Sequence, residues 1–265
     1  MPSCIWCLTE NATPSLEHII PEALGCPEGF VLTDGVVCKS CNNGLAHLDQ
    51  AVIADFDMAA FFANVPRKGG RSPVIRGRGN LVATRGDNGP ELSVNMEKYS
   101  VPAHDGTRLG AFGRSTRNIE ATLTHQGQEA TTSFSVSVGQ DPKFVRGITK
   151  IALSSLAYFL GPEAALAERF NAVRSFVRDG IGQRQVLMLL CADTEYRNEA
   201  SAPFQSEDGE YGIGFRIAHA EFLVDLSPAL SINAILARNI TQSYGPNEYV
   251  WLPADRPKDT VISNS

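Results

Sequence analysis

Positive charge is scarce at the start of this chain: in the first 57 residues Lys39 stands alone against eight acids. Also missing is any apolar run near the roughly 18 residues a membrane span needs, so no membrane partner is expected. The opening residues Met1-Pro2-Ser3-Cys4-Ile5-Trp6-Cys7 lack the basic start and apolar stretch of a secretory signal. The expected address is therefore cytoplasmic, where thiols stay reduced and paired cysteines suggest a metal before a disulfide. No internal repeat or low-complexity tract is visible. Acids are absent between Asp57 and Asp87, and that gap holds Arg67, Lys68, Arg71, Arg76, Arg78 and Arg85.

A net charge of −6 on 265 residues speaks against a polyanionic partner until its distribution is considered. Residues 58–150 carry thirteen basic residues against seven acids, and the remaining residues carry nine against fourteen. A basic stripe beside an acidic module suits a protein that grips phosphates in one place and holds a cation in another. The competing reading is a solvated, glycine-rich loop, since Gly69, Gly70, Gly77 and Gly79 lie in the same stretch.

With 43% hydrophobic and 20% charged residues, the chain has the composition of a globular protein, expected to be α+β with two parts. Residues 1–65 read as a small cysteine-bearing module ending in a helix that Asn42 begins. Leu45, Leu48, Val52 and Phe56 form one apolar face of that helix. Residues 66–265 read as a larger mixed domain of unknown role, with a basic arm at 67–86 and strands up to residue 140. Helices follow over 142–178, the first between Asp141-Pro142 and Gly161-Pro162 with a stripe of Phe144, Ile148, Ile151, Ala152 and Phe159. The segments from Gln185, Tyr211 and Ile232 read as further strands, to about residue 240.

Cys4-Ile-Trp-Cys7 and Cys38-Lys-Ser-Cys41 offer four thiolates, the ligand set of a tetrahedral structural zinc site. Some 50 residues are too few to be stable without such a staple. Two redox dithiols are the alternative. Cys26 and Cys191 have no partner at ligand spacing.

Between the two pairs lies Ser15-Leu-Glu-His-Ile-Ile-Pro-Glu-Ala-Leu-Gly25. Hydrolysing a phosphodiester requires a base to activate water and a cation to neutralise charge at the phosphate and leaving oxygen. Histidine suits the first task because its ordinary pKa lies near neutrality. Carboxylate and amide oxygens suit magnesium. In an extended segment Glu17 and His18 point to opposite faces, so one can serve the cation and the other the water. The plainer alternatives are a structural histidine at His18 and a helix N-cap at Asn42.

The combination of Cys-x-x-Cys, Glu17-His18-Ile-Ile-Pro21 and Val-Cys38-Lys-Ser-Cys41-Asn-Asn-Gly resembles the zinc-stapled branch of the HNH (ββα-metal) endonucleases, over roughly the first 60 residues. The resemblance implies a small N-terminal zinc-bound ββα-metal module followed by the larger α+β domain. It makes His18 the general base, Glu17 a ligand of a catalytic Mg2+ or Mn2+, and either Asn42 or Asn43 a second ligand. Glu17 stands where the family more often has Asp. The family's middle Asn, which orients the base, has no plain counterpart; Asp34 is the favoured substitute and Thr33 the other. The implied partner is DNA, with a second copy of the chain or defence-system proteins as further partners. The alternative is a non-catalytic zinc module that binds nucleic acid, its second domain sensing or binding a partner.

If the basic stripe tracks a DNA backbone, neutralising Arg76 and Arg78 weakens binding equally across sequences. Each lost phosphate contact flattens the log–log salt dependence of affinity by roughly one unit. An unchanged slope in a fluorescence-anisotropy titration assigns the stripe to solvated loop.

Overall fold

A computed structural model of the chain describes residues 3–67, 69–71, 74–76, 81–86, 89–94, 107–111, 119–126, 129–191, 195–245 and 248–253. It begins with a minimal antiparallel pair, β1 (Glu17–His18) and β2 (Val31–Leu32), in which Glu17 faces Leu32 and His18 faces Val31. The connection between them carries a single 3-10 turn, Glu22–Leu24, ended by Gly25 at φ 80°. Helix α1 (Lys39–Phe62) follows, giving the order strand, strand, helix. It starts three residues before the expected position, because the extended Cys38 is its N-cap and the Cys38 sulfur accepts from the Cys41 amide. Asn42 is consequently inside the first turn rather than at the cap. The expected face is buried along the helix: Leu45, Leu48, Val52 and Phe56 all lie in the core.

Two three-stranded antiparallel sheets come next, β3 (Ile75–Arg76) with β4 (Leu81–Gly86) and β5 (Gly89–Val94), then β6 (Thr107–Ala111) with β7 (Ile119–Gln126) and β8 (Glu129–Val136). Helix α2 (Pro142–Leu160) begins at Asp141, whose carboxylate accepts from the Lys143 amide, and ends at Gly161. Phe144, Ile148, Ile151 and Ala152 are buried as expected, but Phe159 is 37% exposed and leaves the stripe.

The single helix expected over 163–178 is broken into α3 (Pro162–Leu166), a 3-10 turn at Glu168–Phe170 and α4 (Asn171–Asp179). The Arg174 guanidinium accounts for the break. It donates to the carbonyls of Ala165, Leu166 and Ala167 at the point where the helical ladder is interrupted.

The remaining strands are β9 (Gln185–Leu190), β10 (Arg197–Ala200), β11 (Phe204–Gln205), β12 (Tyr211–Ala218), β13 (Ala220–Asp225) and, after α5 (Ser231–Ser243), β14 (Tyr249–Pro253). They form one antiparallel sheet in the order β10-β12-β13-β9-β14, with β11 also paired to β12. Ser231–Ser243 corrects the expected strand from Ile232. Its apolar residues Ile232, Leu236 and Ile240 recur every fourth position, and the Asp225 carboxylate accepts from the amides of Ser227 and Asn233 at its start.

One apolar core runs from Cys4 through α1 and α2 to Leu252, unbroken at residue 65. Phe56 of α1, Phe144 of α2 and Phe222 of β13 meet with ring centroids 6.0–6.2 Å apart. Helices α1 and α2 approach closely at Gly147, where a Cβ would stand 2.6 Å from Val52 Cγ2 and 2.9 Å from the Leu48 carbonyl oxygen. That approach has no room for a methyl group. Gly147→Ala is expected to destabilise the fold by about 1–3 kcal/mol, despite alanine's better helix propensity. Urea unfolding would show a lower midpoint at an unchanged slope.

Candidate metal centre and the adjoining cleft

The two Cys-x-x-Cys turns bring their sulfur atoms together. All four Sγ atoms of Cys4, Cys7, Cys38 and Cys41 lie within 4.8 Å of one another, and the Cys7–Cys38 separation is 3.8 Å. A tetrahedral zinc with bonds of about 2.3 Å sets its sulfurs about 3.8 Å apart, so these four thiols can hold an ion such as zinc. The turns are held in register by the backbone. Ile5 N donates to Val36 O at 3.0 Å, Lys39 N to Thr13 O at 2.8 Å, and Ser15 N to Val37 O at 3.2 Å.

Amide donors also aim at sulfur, with Cys38 N 3.3 Å from Cys4 Sγ and Cys41 N 3.4 Å from Cys38 Sγ. Such bonds, with the positive end of α1, favour thiolate. Cys7 is lowered to about 6: burial opposes the shift, and hydrogen bonds from Thr9 outweigh it. Cys41 is pushed the other way by burial and by the neighbouring Cys4. A third contact comes from far along the chain, where Arg178 of α4 donates to the Trp6 carbonyl at 3.2 Å.

Beside this cluster, Glu17, His18, Glu22, Asn42 and Asp49 line a cleft of about 250 Å3. Strand β1 supplies the first two, with Glu17 buried and His18 half-buried. Asn42 and Asp49 are two turns apart on one face of α1. The Asn42 amide nitrogen donates to Leu16 O at 2.8 Å and to Ser15 Oγ at 3.3 Å, fastening β1 to the helix. Asn43 is exposed and does not line the cleft. Asp34 is exposed in a left-handed turn at φ 55°, where it accepts from Thr33 Oγ1, and it too is outside the cleft. His47 is exposed beyond the cleft, its Nδ1 2.9 Å from Gly44 O.

Lys150 of α2 also reaches the cleft residues. Its ammonium is 2.8 Å from both carboxylate oxygens of Asp49 and 2.5 Å from Glu17 Oε1. Lys150 is 1% exposed and Glu17 2%. Burial pulls Lys150 towards neutrality, but Asp49 and Glu17 outweigh that pull and hold it above the ordinary lysine range. Glu17 bears the residual cost. Burial raises it above the usual carboxylate range, Lys150 opposes this and the like charge of Asp49 adds to it. One signal for Lys150 was present in the sequence: a lone cation inside the apolar run from Ile148 to Leu153. Asp49 could have been found by its two-turn spacing from Asn42.

The cleft wall is clamped from the segment after α1 and from the distal sheet. Carbonyls at the end of the 3-10 turn accept from three side chains: Ala23 O from Arg67 at 2.6 Å, Leu24 O from Tyr196 at 2.8 Å, and Gly25 O from Asn198 at 2.9 Å. Arg67 is also ion-paired with Asp57, so it is engaged here rather than available to a phosphate backbone. Of the other stripe residues, Arg71 is exposed, Arg76 and Arg85 belong to β3 and β4, and Lys68 and Arg78 lie outside the described residues. A second hollow, of about 260 Å3, is crossed by the register-matched Glu199, Arg216 and Glu221, whose charges alternate, and no histidine is among the described residues that line it.

No family model matches the chain, and no curated protein or solved structure matches it.

The sulfur geometry predicts about one tightly held zinc per chain by native mass spectrometry. Chelation should expose four thiols to a disulfide reagent and lower the unfolding temperature. Cys26, which burial pushes up to about 11, should stay unmodified at pH 8 in the folded, zinc-loaded protein.

Proposed function

We propose that the chain is a metal-dependent DNA endonuclease of the HNH type, hydrolysing phosphodiester bonds with His18 as general base. The observation that carries the reading is the convergence of His18, Glu17, Asn42 and Asp49 on one cleft, built from β1 and the first turns of α1. The adjacent four-thiol cluster supports it by fixing where that helix begins, zinc serving as scaffold.

In this reading the half-buried His18 accepts a proton from the attacking water, and the resulting hydroxide adds to phosphorus opposite the departing sugar oxygen. Glu17, Asp49 and the side-chain carbonyl of Asn42 are hard-oxygen donors, and together they fit Mg2+ or Mn2+. When bound, that cation supplies charge neutralisation at the phosphate and the leaving oxygen. The amide nitrogen of Asn42 is spent on Leu16 and Ser15, which directs its oxygen elsewhere. This favours Asn42 over the exposed Asn43 as the second ligand. The Asp34 placement leaves the orientation of His18 to the β1–β2 pairing and the cleft walls. By analogy with the family's usual settings, the biological context is defence against foreign DNA in the cytoplasm, with a second copy of the chain for cutting both strands.

A second reading is favoured by one observation, the ion pairing of Glu17 with Lys150. It makes the chain a zinc module that binds nucleic acid without cutting it. The two separate on supercoiled plasmid with added Mg2+ or Mn2+. The nuclease reading expects nicked or linear product from the parent chain. His18→Ala should lose at least a hundredfold in rate while keeping zinc and DNA affinity. Plasmid left intact across a range of salts, with DNA still bound, selects the second reading.

A further inference from the structure

We propose that Lys150 is a tethered competitor for the divalent cation, so that the cleft's metal affinity is set by a residue of the distal helix α2. The inference rests on the cation reading above and extends it to what governs occupancy.

The geometry leaves little choice. The three oxygens nearest the ammonium are both Asp49 Oδ atoms at 2.8 Å and Glu17 Oε1 at 2.5 Å. These belong to two of the three carboxylates among the described residues that line the cleft, the third being Glu22. A magnesium ion requires carboxylate oxygens at about 2.0–2.1 Å and so would draw on the same atoms. An ammonium and a divalent cation cannot share them, since like charges a few ångströms apart in a buried site repel strongly.

Nor can the ammonium leave at little cost. Lys150 is one turn beyond Gly147, the point where α2 meets α1 backbone to side chain, and its stem is enclosed by the core. The competitor is therefore always present at high local concentration, unlike a salt ion in solution. Buried ion pairs contribute little stability relative to apolar packing, so stability alone does not explain a fully buried lysine at this position. Attenuating the metal site does. It keeps the cleft largely without divalent cation at low free-metal levels and ties its occupancy to the seating of α2 on α1.

The test uses the zinc-loaded full chain and Mn2+, with free Mn2+ read by electron paramagnetic resonance and no DNA present. Lys150→Met is expected to bind Mn2+ at least tenfold more tightly than the parent. Lys150→Arg, which keeps the charge, should stay within about twofold of it. Equal or weaker Mn2+ binding by a folded Lys150→Met overturns the proposal, as does a failure of parent and variant alike to bind.

Should Lys150→Met not fold, the parent protein decides the matter. The 15Nζ resonance of Lys150 should shift or broaden as Mg2+ saturates the amide shifts of Asn42 and Asp49. A resonance unmoved at saturation overturns the proposal. Because neither readout involves cleavage, tighter Mn2+ binding in a chain that never cuts plasmid would sink the nuclease reading and leave this one standing.

Discussion

Four sulfur atoms within 4.8 Å of one another cannot all be thiolates unless a cation lies among them. Much of the N-terminal architecture depends on that constraint. Cys38 is at once a member of the cluster and the N-cap of α1, so the position of the sulfurs determines the residue at which the helix begins. From that starting point follow the inward placement of Asn42 and Asp49 and the hydrogen bonds that fasten β1 to the helix. A two-residue strand pair could not hold this register unaided.

The second organising feature is electrostatic. One ammonium serves two carboxylates, and all three groups are largely withdrawn from water. Removing any one member of such a group is costly, because the others are left charged and unpaired. Sequence distance makes the arrangement informative: Asp49 and Lys150 are separated by about a hundred residues but joined by two bonds. The small N-terminal part and the larger part are therefore bound by charge as well as by the continuous apolar core.

The elements that were legible in the sequence are those whose signals are local. The four cysteines paired by spacing, α1 was visible in Leu45, Leu48, Val52 and Phe56, and α2 was bracketed by Asp141-Pro142 and Gly161-Pro162. Errors arose where a tertiary contact overrode the local pattern. Arg174 stabilises a break that no propensity in 163–178 requires. Asp225 anchors α5, whose Ile- and Leu-rich start looked like a strand. The helix start moved to Lys39 because sulfur took a capping role usually filled by oxygen. In the site, Glu17, His18 and Asn42 were found together, whereas Lys150 was not. Its place depends on the approach of two helices at Gly147, which has no signature within either helix alone. Arg67 likewise looked like part of a basic stripe until Asp57 and Ala23 were brought beside it.

The clamp on the turn after β1 has a consequence for how the molecule comes into being. Tyr196 and Asn198 grip Leu24 and Gly25 across more than 170 residues of chain. During synthesis the residues that line the cleft, from Leu16 to Ile53, leave the ribosome long before its clamp is made. A chain still being translated thus holds its four paired cysteines and the cleft residues before Tyr196 and Asn198, which brace them, have been made.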